Sequence, residues 1–177
     1  MDDLVLKGFL QKQFEEGSKL AHESDLLELH SQDRGDDPPD RYVLQFRCKG
    51  LVRSPGGEVA EASEFLVGIW FPSWYLREVN PFETLTWLGP GNVWHPNIIP
   101  PRICVGHIPP GTELKDLIYQ CYEIITYFNW APHDALNVEA SQWARNHQER
   151  FPVDKRPLKR RALNLKVVEK GKKAENS

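Results

Sequence analysis

The chain has 177 residues, 40% of them hydrophobic, and a formal net charge of -3, the proportions of a protein that buries a sizeable core without disulfide or metal staples. A near-neutral balance with a sequence pI near 6.1 excludes an overall electrostatic pull towards nucleic acid or anionic membrane. Nor is there a run of ~20 predominantly apolar residues, so no membrane span is expected.

Asp2 and Asp3 stand where a signal peptide carries bases, and Lys7, Gln11, Lys12 and Gln13 interrupt the apolar residues that follow. No export is expected from this pattern, and the expected location is the cytoplasm. Three widely spaced cysteines, Cys48, Cys104 and Cys121, fit free thiols in a reducing compartment better than a disulfide framework.

In chain order, Leu6, Phe9, Leu10, Gln13, Phe14, Gly17, Leu20 and Ala21 recur at helical spacing. They predict an amphipathic helix that ends near Ser24-Asp25 or continues through Leu29. The acidic, turn-rich segment 31–41 predicts a loop. Alternation over Tyr42–Cys48 and the apolar run Phe65–Trp70, with a Ser54-Pro55-Gly56-Gly57 turn between, predict an antiparallel strand pair. Phe71-Pro72 ends the second strand, and a third is predicted over Thr84–Leu88.

Residues 89–111 contain six prolines and four glycines, a density that excludes a long helix or a central strand. A long ordered loop in a compact domain is usually functional. Leu114, Leu117, Ile118, Cys121, Tyr122, Ile125 and Phe128 form the cleanest helical stripe, with Thr112 as its predicted N-cap. A shorter helix capped by Asn137 presents Ala140, Trp143, Ala144 and His147 on one side. From Val153 the composition turns basic, so the predicted division is a domain over 1–152 and a basic tail over 153–177. Helix, meander, loop, helix, helix is an α+β order.

Several motifs occur in sequence between the second strand and the last helix: Phe71-Pro72-Ser73-Trp74-Tyr75, then His95-Pro96-Asn97, then Ile103-Cys104. In this ordered set the chain resembles the ubiquitin-conjugating enzymes, over roughly residues 3–150. The segment 131–136 resembles that family's Pro-x-Asp turn. The resemblance implies a UBC-like fold with an N-terminal helix, an antiparallel β-meander, a long active-site loop and two C-terminal helices. It implies a ubiquitin-like modifier carried as a thioester on Cys104 and passed to a lysine of a protein target. No cofactor is implied; ATP is used by the partner activating enzyme, and the chain has no Walker-type phosphate loop of its own.

The chemistry of that transfer suits the matched residues. A thiolate exposed enough to reach a second protein is the nucleophile, and Cys104 lies in the irregular loop, whereas Cys48 and Cys121 occupy apolar patterns that suit buried thiols. Asn97 is the candidate amide donor to the developing oxyanion, the alternative being that its side chain ties down its own loop. Asp134 matches the position that orients the incoming amine, against the alternative of a solvated loop carboxylate. His107, three residues after the cysteine, is a lower-ranked candidate for lowering the thiol pKa or acting as base. His95 and Pro96 are expected to shape the loop. A zinc site from His95, Cys104, His107 and His133 lacks a second paired motif.

Two departures from the family pattern carry weight. The stretch Cys104-Val105-Gly106-His107-Ile108-Pro109-Pro110-Gly111-Thr112 is shorter than the family's and lacks its ligase-contact motif, which points to direct transfer without a separate ligase. Ala135 stands where a proline usually follows the aspartate. Such divergence is similar to that of stand-alone conjugating enzymes found in bacterial operons linked to antiviral defence. Two other functions compete: a binding module of the same fold that holds a ubiquitin-like protein without carrying it, and a cysteine hydrolase with His107 or His133 as base.

Overall fold

A computed structural model of the chain describes residues 3–131 and 133–161. The α+β order expected from the sequence is observed. The chain opens with α1 (Leu4–His22), begun by Asp3, whose carboxylate accepts from the backbone N–H groups of Val5 and Leu6 at 3.1 Å each. It does not run on through Leu29. Ser24 Oγ accepts from Leu26 N–H and turns the chain into β1 (Leu27–Ser31), whose Leu27 and Leu29 pair with Phe46 and Leu44.

The main sheet has the order β1-β2-β5-β6, with β2 (Arg41–Phe46), β5 (Phe65–Trp70) and β6 (Leu85–Gly89), every neighbouring pair antiparallel. The predicted pairing of the second and third of these strands is correct, Arg41 facing Trp70 and Phe46 facing Phe65. The Ser54–Gly57 turn, however, closes a separate hairpin nested between them, β3 (Gly50–Arg53) with β4 (Val59–Ala62). Gly57 sits at φ +87, a conformation only glycine adopts without strain. A four-residue helix, α2 (Pro81–Thr84), precedes β6.

One sheet face carries Leu44, Phe46, Phe65, Val67, Ile69, Leu85 and Trp87, all buried against α3 (Leu114–Ile125) and α1. Gly17 allows the helices to approach: a Cβ there would lie 2.6 Å from Leu114 Cδ2. The N-terminus of α3 is satisfied differently from expectation. Thr112 is not the cap; its hydroxyl donates to Pro109 O, and Leu114 N–H donates at 2.7 Å to Oε1 of the fully buried Gln13 on α1. The helix α4 (Val138–Asn146) is capped by Asn137 as predicted, Oδ1 accepting from Ala140 N–H at 3.0 Å.

The stretch from Val153 was expected to be a tail, yet its first part packs on the domain. Leu158 is in the core, and Tyr122 Oη donates to Arg156 O at 2.6 Å. Arg160 donates at 2.6 Å to His22 O, and its own N–H donates at 2.8 Å to Glu23 O, which places a cation on the carbonyl-rich end of α1. Arg156, Lys159 and Arg160 thus serve the fold, paired with Asp154, Glu23 and the end of α1; residues 162–177 lie outside the described residues.

Asp154 pins this stretch. Its buried carboxylate accepts from Lys49 N–H, Arg156 N–H and the Arg156 guanidinium, which together hold its pKa down at about 2, against the opposing effect of burial. A carboxyl depressed in the folded state contributes stability above its ordinary pKa near 4 and loses it as pH falls through about 2. Asp154→Asn is therefore expected to lower the urea midpoint at pH 7, with the gap to wild type closing as pH falls through that window. A gap that stays constant down to pH 2 would contradict this role.

Candidate functional site

The site is built on a short hairpin, β7 (Ile98–Ile99) and β8 (Arg102–Ile103), joined through Pro100-Pro101. Ile98 faces Ile103, so the next pair outwards is Asn97 and Cys104, and Cys104 N–H donates to Asn97 O at 2.9 Å. The hairpin itself is held against β6, Trp87 N–H donating to Pro101 O. Two residues far apart in the loop are thereby locked as neighbours by main-chain bonding.

Of the three thiols, Cys104 alone is partly exposed. Burial pushes Cys121 up to about 12, and burial followed by the Asp154 charge does the same to Cys48. Thiolate is the reactive form, so these two are inert in the folded protein. Iodoacetamide is expected to label the native protein at Cys104 only, and at all three cysteines after denaturation, as read by peptide mass mapping; native labelling of Cys48 or Cys121 would contradict the placement.

His95 is buried, and its Nδ1 accepts from Asn97 N–H at 3.0 Å. The proton of the neutral ring therefore belongs on Nε2. Burial lowers the His95 pKa to about 3, with the Asn129 backbone acting in the opposite direction to a smaller extent. At neutral pH the ring is uncharged and folds the triplet back on itself. Pro96, also buried, offers its carbonyl to Asn137 N–H at 2.9 Å.

Asn97 is 2% exposed, and its Oδ1 accepts from Ala131 N–H at 2.9 Å. The anchoring role is thus realised through Oδ1, which leaves Nδ2 as the amide's donor. Segment 131–137 is tied at both ends to the triplet, through Ala131 to Asn97 and through Asn137 to Pro96. Exposed Asp134 lies in its middle; Pro132 is outside the described residues.

Neither Asp134 nor His107 makes a hydrogen bond or ion pair with Cys104 among the described residues. His107 is exposed, after Gly106 at φ +93 and before the fully buried Ile108, which pins the short post-cysteine loop. The arrangement joins Cys104, Asn97 and the loop of Asp134 through one triplet and leaves His107 to one side. Among the described residues, no three His, Cys, Asp or Glu side chains gather as a metal site.

Sequence reasoning missed Tyr127. It was passed over for Phe128 on the apolar stripe, but α3 ends at Ile125, and the chain then turns so that Tyr127 is buried and Phe128 is 53% exposed. Tyr127 takes the left-handed φ of 61, unusual for a bulky residue. That conformation puts its ring edge-on to His95 at 4.3 Å and its hydroxyl on Trp94 O. The only signal in the sequence was the density of aromatic residues after the helix.

Comparison with models of known families finds no match, and comparison with curated proteins finds none either. Among solved structures the chain is similar to the E2 domain of a Toxoplasma gondii ubiquitin conjugating enzyme, at TM-score 0.48 and 17% identity over 80% of this chain and 88% of that one. Among the described residues no helix is long and apolar enough to cross a membrane.

Proposed function

We propose that this chain is a ubiquitin-conjugating-enzyme-like acyltransferase with a UBC-like fold. It accepts a ubiquitin-like modifier from an activating enzyme as a thioester on Cys104 and passes it to a lysine of a protein target. The observation that carries this reading is the main-chain pairing of the one accessible thiol, Cys104, with Asn97, whose side chain anchors the loop bearing Asp134.

In the first step the Cys104 thiolate forms a bond to the modifier's C-terminal carbonyl carbon as the bond to the activating enzyme's sulfur breaks. In the second, the lysine nitrogen attacks that carbon, the carbonyl oxygen gains negative charge, and the C–S bond breaks to return the Cys104 thiolate. Nδ2 of Asn97 is the donor to that oxygen. Asp134 accepts a hydrogen bond from the amine and orients it, and the proton leaves to solvent; at an exposed position the carboxylate is dehydrated only when a target covers it. His107 has no necessary part in either step. The short loop after Cys104 favours transfer without a separate ligase, in a setting similar to the bacterial operons of stand-alone conjugating enzymes linked to antiviral defence.

The test separates transfer from hydrolysis. Charged protein is freed of ATP and incubated with and without free lysine. The expected result is that lysine speeds loss of the thioester and modifier–lysine accumulates. Equal rates with free modifier as the sole product would contradict transfer to an amine, and loss much faster than from the urea-denatured thioester would identify a cysteine hydrolase.

A further inference from the structure

Beside the hairpin that carries Cys104 runs a second feature, an open groove of about 770 Å³ between the β3–β4 turn and β7. Its walls include Pro55, Asn92, Trp94, Ile99 and Asn137, and Arg53 is the one charged residue among the described residues that line it. Trp94 directly precedes His95, and Asn137 N–H donates to Pro96 O, so the groove adjoins the triplet and the end of the Asp134 loop.

Arg53 is prepared for a ligand. Its N–H donates to Asn92 O and Asn92 Nδ2 donates to its carbonyl, which fixes its backbone, while its guanidinium donates from Nε to Gly57 O at 3.4 Å and lies 4.6 Å from the centroid of the Trp94 ring. Its Nη1 meets Glu139 Oε2 at 2.8 Å, yet Glu139 is 76% exposed on the first turn of α4, and an exposed ion pair of this kind holds its partner weakly. An incoming carboxylate that also covers the apolar wall can take the place of Glu139. Ile99, 43% exposed, supplies that wall.

We propose that this groove binds an extended segment of the target polypeptide and that Arg53 selects a carboxylate side chain within it, near the acceptor lysine. Identification of the ligand as the acceptor rests on the thioester reading; the binding itself does not.

The test uses uncharged protein and short acetylated, amidated peptides, each with one lysine and one glutamate a few residues away, alongside their glutamine counterparts. Binding is followed by NMR at the Trp94 indole N–H and the Arg53 Nε–H. The glutamate peptide is expected to bind about tenfold more tightly than its glutamine counterpart. Arg53→Gln is expected to abolish that difference, and Glu139→Gln to tighten glutamate-peptide binding about threefold by removing the competing carboxylate. Equal affinity for both peptides, or no change in either variant, overturns the proposal. In the charged protein the glutamate is expected to lower KM for the peptide and leave kcat unchanged. Selective binding with no discharge to any lysine would count against the thioester reading and leave the groove assignment standing.

Discussion

Asn97→Asp is expected to form the Cys104 thioester normally and to discharge it to lysine about 100-fold more slowly, the usual cost of removing one oxyanion donor. The substitution separates two roles that one side chain combines. A carboxylate oxygen still accepts from Ala131 N–H, so the anchor at 2.9 Å remains, but the donor at Nδ2 is gone and a negative charge stands where negative charge must develop. Asn97→Ala removes the anchor as well, and is expected to raise KM for lysine in addition, because the Asp134 loop loses one of its two ties to the triplet. Single-turnover discharge, with charging measured separately, reads both effects. Normal discharge by Asn97→Asp would leave Asn97 with the anchoring role alone.

The second large effect is one of stability transmitted to the site. Tyr127→Ala is expected to lower unfolding stability by ~3–5 kcal/mol, as truncation of a buried aromatic residue does. The ring packs on His95 and Phe151, and the hydroxyl holds Trp94 O, so the triplet loses its support from below. Tyr127→Gly is expected to be less harmful than Tyr127→Ala by ~1 kcal/mol, because glycine alone adopts φ 61 freely. Denaturant melts of the two variants check the order. Equal stabilities would mean that the left-handed conformation carries no strain.

Periodicity made the helices and the central strand pair legible. Alternation at Tyr42, Leu44 and Phe46 and the stripe Leu114–Ile125 are local patterns that reflect which side of an element meets the core. What escaped detection depends on distant partners. β1 was too short and too polar at Glu28 and His30 to stand out, and is a strand because β2 lies beside it. Thr112 looked like a cap by proximity, but Gln13, about a hundred residues earlier in sequence, reaches Leu114 N–H because Gly17 lets α1 lie close. The basic stretch after Val153 read as solvated by composition, although its cations meet the end of α1 and the Asp154 carboxylate.

The candidate site was legible as a set of residue types, not as a geometry. His95-Pro96-Asn97 and Cys104 could be picked out by order along the chain, while their main-chain pairing required the Ile98–Ile103 hairpin, whose two-residue strands are below what periodicity can detect. His107 attracted notice by its spacing from the cysteine, and Gly106 turns it outwards. The groove lined by Arg53 and Trp94 left no trace in the sequence, because it joins a turn of one hairpin to the strand of another.

The most direct test of Cys104 as the acyl carrier is intact mass under non-reducing conditions, after wild-type or Cys104→Ala protein is mixed with ATP, the cognate activating enzyme and its ubiquitin-like partner. The predicted result is an adduct of one modifier on the wild type that thiol reagents remove and the variant does not form. An adduct that persists in Cys104→Ala, or none on the wild type beside a fully charged activating enzyme, would contradict it, and the latter would identify a module that binds the modifier without carrying it.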